Sequence, residues 1–188
     1  MKPSGVFEGV EVFPIEGYEG IYSISKCGRV WSHERRVAHC QERGVRRLKE
    51  RWLRQGTDGV GYRTVVLHRS GKGVKCKVHR LMAQTFFEVD GTEVDHINGI
   101  GGDNRVENLR WATRRQNTYN KGANRRGSSR FKGVSFNKRG GNWEAYITVR
   151  GKRKSLGRHD TEEEAARAYD REACKFQGEF FRPNLVSC

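Results

Sequence analysis

Asp95 and His96 are adjacent, and Asn108 and Asn117 follow them in the stretch DHINGIGGDNRVENLRWATRRQN. A carboxylate, an imidazole and two amides are groups that together can hydrolyse a phosphodiester bond. Successive residues on a strand point in different directions, so Asp95 and His96 are read as dividing the work. Asp95 offers a hard anionic oxygen to a cation. His96, which titrates near neutrality, takes a proton from the attacking water. Asn117 adds a neutral carbonyl oxygen to the same ion. Two oxygen donors leave room for phosphate oxygens and waters, which suits Mg²⁺ better than zinc. Asn108 is assigned to holding the glycine-rich loop and the His96 backbone through amide hydrogen bonds. Asn and Asp also abound in loops for structural reasons, and spacing alone leaves that reading open. At His79 packing or capping is expected, because it opens an apolar helical stretch. His33, His39, His68 and His159 lie in basic or turn contexts and receive no role.

These groups need a scaffold. Residues 93–96 read as a short strand, Gly99 to Asn104 as a turn-rich loop, and Leu109 to Trp111 as a second strand. Thr113 to Gln116 fits a capping box, so a helix is expected to start at Arg114 with Asn117 one turn inside it. Upstream, YRTVVL and the run Val74 to Val78 flank the turn HRSGKG as a hairpin, and HRLMAQTFF follows with helical spacing. The segment FPIEGYEGIYSISKCGRVWS suggests another hairpin, turning at Lys26-Cys27-Gly28. Residues 33–58 are Arg-rich and fit either a loop or a linker helix. NKGANRRGSSR, residues 120–130, reads as a basic flexible linker. Beyond it come three strands, over Phe131–Phe136, Trp143–Arg150 and Lys154–Arg158. A second capping box, Thr161 to Glu164, then starts a helix that places Ala165, Tyr169, Ala173 and Phe176 on one face and stops at Gly178. The expected fold class is α+β, built from small modules.

Composition narrows the partner. The formal net charge is +15, and between Arg110 and Arg158 fifteen Lys and Arg residues face a single acid, Glu144. Such a segment gains affinity for a polyanion by counterion release, although a ribosome or an acidic membrane would suit the charge equally. With only 35% apolar residues, no single large core is expected. No apolar run reaches bilayer-spanning length, and MKPSGVFEGVEVF lacks a signal peptide's apolar core, so a soluble cytoplasmic protein is expected. Cys27, Cys40, Cys76, Cys174 and Cys188 are odd in number and never in C-x-x-C pairs, which favours free thiols.

The central stretch, with VHRLMAQTF, DHINGIGGDN, ENLRWAT and RRQN, resembles the HNH nucleases of phage and intron homing endonucleases. That resemblance implies a ββα-metal finger gripping the minor groove. It makes Asp95 and Asn117 the metal ligands, His96 the general base and Asn108 the structural asparagine. Many members carry His at the third motif position, and Asn117 there favours Mg²⁺ or Mn²⁺. IEGYEGIYSISKCGRVWS resembles the small modular motif preceding the nuclease in many such enzymes. Arg29 and the arginines from Arg35 to Arg54 are then expected to contact phosphates. FKGVSF, WEAYITV, SLG, TEEEAARAYDREACKFQG and PNL resemble the plant ethylene-response-factor (APETALA-type) domain, a three-stranded sheet in the major groove backed by a helix.

By position, the last resemblance turns Lys132, Ser135, Asn137, Glu144, Tyr146, Thr148, Arg153 and Ser155 towards DNA. Lys132, Lys138, Arg139, Arg150, Lys152 and Arg153 are expected to position phosphates, and Arg114 and Arg115 to bind DNA. Ser135, Thr148 and Ser155 replace base-reading residues of the plant family, so its target sequence is not transferred. Trp143 is read as core in preference to a base reader. The implied modules are 6–58 (N-terminal motif and Arg-rich linker), 60–120 (nuclease), 121–129 (linker) and 130–185 (DNA-binding domain). The implied protein is a metal-dependent monomeric endonuclease that nicks duplex DNA in the cytoplasm of a phage-infected host, with no obligate protein partner and no membrane. A non-catalytic DNA-binding regulator is the main alternative, and a structural RNA-binding protein the other.

Overall fold

The computed structural model describes residues 2–38, 44–123 and 127–185. His39, Cys40, Arg43 and Cys188, and the middle of the expected basic linker, lie outside the described residues. Packing divides the chain into two units, residues 1–112 and 113–188.

The first unit begins with short strands β1 (Gly5–Phe7), β2 (Val10–Pro14), β3 (Tyr22–Ser25) and β4 (Val30–Ser32). The expected hairpin at Lys26-Cys27-Gly28 is the β3–β4 connection, with Ser23 opposite Trp31. Residues 33–58, open between loop and helix in the sequence, instead form β5 (Arg35–Ala38), β6 (Val45–Leu48), β7 (Arg51–Trp52) and β8 (Gly56–Thr57). β5 and β6 pair as an antiparallel ribbon, and β7 adds to β4 to close a sheet of order β1-β2-β3-β4-β7. In β5 (RRVA) and β6 (VRRL) arginines and apolar residues come in adjacent pairs, which hides the strand period from a hydropathy reading.

β9 (Arg63–Arg69) and β10 (Lys72–Lys77) pair antiparallel and run into helix α1 (Val78–Phe86). α1 buries Val78, His79, Leu81, Met82, Ala83 and Thr85. β11 (Glu93–His96) and β12 (Leu109–Ala112) form the next antiparallel pair, with His96 opposite Leu109 and Asp95 opposite Arg110. One hydrophobic cluster joins Tyr22, Ile24 and Val30 of the N-terminal hairpin to Val65, Leu67, Met82, Val94 and Leu109. Side chains from both sides of residues 58–60 thus share one core.

The second unit opens with α2 (Arg114–Asn120), whose Thr113–Gln116 capping box is formed as expected. β13 (Val134–Asn137), β14 (Asn142–Val149) and β15 (Lys152–His159) make an antiparallel sheet with β14 central. Helix α3 (Glu162–Gln177) starts at the Thr161–Glu164 capping box. Ala165, Ala166 and Ala168 pack against Val134 and Ala145, and Tyr169 and Ala173 against Ile147. Small side chains at these positions let helix and sheet approach closely. Phe176, expected on this face, is 49% exposed. Gln177 is buried in the last turn instead and donates to the Tyr169 hydroxyl at 3.3 Å. Gly133 has φ +72°, and a Cβ there would stand 2.1 Å from the Tyr169 ring, so the β13 entrance admits only glycine.

Candidate active site

Strand alternation sends the side chains of Asp95 and His96 to opposite faces of the β11–β12 hairpin. Asp95, 3% exposed, meets its cross-strand neighbour: Arg110 Nε donates to Asp95 Oδ2 at 2.9 Å. A buried carboxylate needs a cation nearby, and here a guanidinium supplies it. His96, 5% exposed, sits in a nest of aromatic rings. The Tyr62 ring stacks on it with centroids 5.8 Å apart, and His79 meets it edge-on at 5.2 Å. His96 Nε2 lies 3.1 Å from Asn104 Oδ1. Burial lowers the His96 pKa, opposed by the Asn104 hydrogen bond, so the ring is neutral at neutral pH. Burial lowers His79 further, to about 4.

Asn108 ties down the loop between the strands. The Asn108 side chain accepts from Asn98 N at 3.0 Å and donates to Asn98 Oδ1 at 3.1 Å and to Asp103 O at 2.8 Å. Its carbonyl accepts from Ile97 N, directly after His96. Asn98 also donates to Asp103 at 2.8 Å, and the Arg105 guanidinium holds the Asp103 carboxyl far below the usual range. Sequence reasoning missed Asn98, Asn104 and Tyr62. An amide eight residues after His96, at the end of a glycine-rich loop, was the available signal for Asn104.

The N-terminal hairpin supports this loop. Val106 N donates to Lys26 O at 2.9 Å, and Gln55 Nε2 to Gly28 O at 2.6 Å. Gly28 has φ +85°, and a Cβ there would meet Asn104 Cβ at 2.9 Å. The β3–β4 turn thus presses on the residue that orients His96.

Asn117 lies in the other unit, in the first turn of α2, and its backbone N–H donates to Thr113 O. Among the described residues no three His, Cys, Asp or Glu side chains gather to hold an ion by themselves.

In the second unit, alternation along β14 turns Ala145 and Ile147 towards α3 and Glu144, Tyr146 and Thr148 to the opposite face. Ser135, Arg153 and Ser155 stand opposite Glu144, Thr148 and Tyr146, so they share that face. The Arg153 guanidinium lies 3.7 Å from the Tyr146 ring centroid. Glu144 accepts from Asn137 at 3.0 Å and Arg158 at 3.2 Å. Arg150 and Lys152 are exposed at the β14–β15 turn. Trp143 packs with the core cluster, as read from sequence.

Two residues expected on phosphates hydrogen-bond within the protein. Lys132 does not project from the sheet: its ammonium donates to Thr118 O at 2.9 Å and Tyr119 O at 2.7 Å, at the end of α2. Arg35 directs its guanidinium at the Tyr22 hydroxyl, Ser32 Oγ and the His33 carbonyl, where it braces β3 and β4. Arg115 bonds the Tyr119 hydroxyl one turn along α2, while Arg114 is exposed. Cys27, Cys76 and Cys174 are free thiols. No helix among the described residues is long and apolar enough to cross a membrane.

Three family models match in succession: the NUMOD4 motif over residues 13–68, HNH endonuclease over 76–119 and the AP2 domain over 129–179. The DNA endonuclease I-HmuI of Bacillus phage SP01 is 34% identical over 108 residues, covering 56% of this chain and 54% of that protein. A solved structure of I-HmuI aligns with a TM-score of 0.45 at 33% identity over 58% of this chain and 56% of that one. Protein 3.8 of Escherichia phage T7 is 30% identical over 92 residues, covering 49% of this chain and 75% of that protein. APETALA2-like protein 2 of Oryza sativa subsp. indica is 53% identical over 51 residues, 27% of this chain and 12% of the plant protein. The chain spans about half the length of the phage endonuclease and a small part of the plant factor. The HNH match covers β11, β12, the four motif residues and all but the last residue of α2, and the chain belongs to the HNH endonuclease family.

Proposed function

We propose that this protein is a sequence-specific homing-type endonuclease that hydrolyses one phosphodiester bond of duplex DNA per binding event. The observation that carries this reading is His96: buried, kept neutral by that burial, stacked under Tyr62 and held 3.1 Å from Asn104 Oδ1. A preorganised neutral imidazole is what a general base at neutral pH requires. His96 takes the proton of the attacking water, and Asn108 holds the loop that sets the ring's height. Asp95 and Asn117 are the oxygen ligands of Mg²⁺ or Mn²⁺. Such an ion, when bound, stabilises charge on the phosphate and the leaving oxygen. Arg110 balances the Asp95 charge when no ion is bound.

Duplex DNA is the partner. Ser135, Asn137, Glu144, Tyr146, Thr148, Arg153 and Ser155 present a polar sheet face to it, and Arg150, Lys152 and Arg114 position phosphates. The protein acts as a monomer in the cytoplasm of the phage-infected host, and one active site gives one cut strand.

The test uses supercoiled DNA carrying sequence from the protein's source genome. Open circles formed only with Mg²⁺ and an intact His96, and absent with EDTA or His96→Ala, are the expected result. Linear product would mean that both strands are cut. Salt-sensitive binding without cleavage would make the protein a regulator.

A further inference from the structure

α2 has seven residues, two turns, too few to hold a helix in water without help at its ends. Its N-terminus has the Thr113–Gln116 capping box. Its C-terminal carbonyls, which carry the negative end of the helix dipole, are met by two cations from the following domain. Lys132 Nζ reaches the carbonyls of Thr118 and Tyr119, and Arg182 Nη1 reaches that of Asn120 at 3.5 Å.

Lys132 is itself clamped. Its backbone N–H donates to Asn184 Oδ1 at 2.7 Å, and Asn184 Nδ2 donates back to Lys132 O at 3.0 Å. Asn184 N and Leu185 N in turn donate to the Asp170 carboxylate of α3. Burial, then the neighbouring Arg182 and Lys121 charges, lower the Lys132 pKa to about 8, as befits an ammonium that has exchanged water for carbonyls. A hydrogen-bonded chain therefore runs from α3 through Asn184 and Lys132 to the end of α2.

We infer that Lys132 and Arg182 are positioning residues for Asn117: they fix α2 to the C-terminal sheet, so the domain that grips DNA also sets the helix that carries a metal ligand. This rests on the proposed role of Asn117. Lys132 then has a different task from the DNA contact that its place in the AP2 match suggests.

The full-length protein and its Lys132→Met and Lys132→Arg variants separate these roles. In metal-free protein without DNA, Lys132→Met should speed hydrogen exchange of the 118–121 amides by about ten-fold or more, and Lys132→Arg should restore protection. Affinity for a mixed-sequence duplex in EDTA, and its salt slope, should stay within about two-fold of wild type, because no phosphate contact is lost. The Mn²⁺ concentration for half-maximal nicking should rise several-fold. A salt slope shallower by about one with α2 exchange unchanged would overturn the inference and return Lys132 to the DNA face. A wild-type protein that never cuts would defeat the nuclease reading alone, since the exchange measurement still decides whether Lys132 fixes α2. Should Lys132→Met fail to fold, Arg182→Ala removes the 3.5 Å contact to Asn120 and is read by the same measurements.

Discussion

The β11–β12 hairpin and the outer face of β13–β15 are both small antiparallel surfaces rich in polar side chains, and they treat them in opposite ways. Asp95, His96, Asn104 and Asn108 are all at most 7% exposed, whereas Thr148, Arg153 and Ser155 stand in solvent. A buried polar group without a partner costs roughly 1–3 kcal/mol, so each group in the hairpin has to be held: Asp95 by Arg110, His96 by Asn104, Asn108 by Asn98 and Asp103. That constraint fixes the geometry before substrate arrives, which acid–base chemistry demands. The sheet face stays hydrated and adaptable, which suits tracking a phosphate backbone.

The sharpest way to break this contrast is His96→Ala. Single-turnover nicking should fall by roughly 10²–10⁴-fold, while duplex affinity in EDTA remains within about two-fold. A matching loss of affinity would show that the hairpin also grips DNA. Next, Gly133→Ala forces a Cβ onto Tyr169 and to 2.7 Å from Tyr146 O at φ +72°. Unit two should lose about 3 kcal/mol or more in urea unfolding, with the β11–β12 amides keeping their exchange protection.

Acid should divide the two units as well. The unfolded His79 titrates at 6.5 and the folded one at about 4, so the unfolded state binds more protons between these values. Stability of the first unit is full above pH 6.5 and declines by up to roughly 3 kcal/mol as pH falls to 4. His33 and His96, also lowered chiefly by burial, act in the same direction. In the second unit, the Lys154 and Lys175 hydrogen bonds hold Glu172 down to about 2 from 4.5, so its contribution is present above pH 4.5 and lost as pH falls through 2. Residue-resolved exchange at pH 5 should therefore show the first unit weakened before the second, and His79→Gln should flatten the difference. Thr161→Ala removes one capping box and should cost the second unit about 1 kcal/mol, read from its urea midpoint. The smallest effect is expected of Arg153→Ala, with the salt slope of duplex binding shallower by about one and nicking of bound DNA unchanged.

Local sequence was enough wherever neighbours in the chain are neighbours in space. Both capping boxes, the turn at Gly28, the β9–β10 hairpin and the β11–β12 pair follow from patterns a few residues long. Asp95, His96 and Asn108 were legible for the same reason, because one short hairpin carries all three. Residues 33–58 were not, since RRVA and VRRL set arginines and apolar residues in pairs and so display no alternation.

By itself the sequence determined which groups are available for chemistry and the order of the elements that carry them. It also set the block of positive charge that follows them. Only the tertiary structure decided which neighbours those groups meet. Tyr62 and His79 reach His96 because β9, β10 and α1 share its core, and Asn104 is pressed into place by Gly28 from a hairpin seventy-odd residues earlier. Lys132 reaches α2 because Asn184, fifty-two residues downstream, holds its backbone. Such contacts are set by packing between segments far apart in the chain, and no spacing within either segment encodes them.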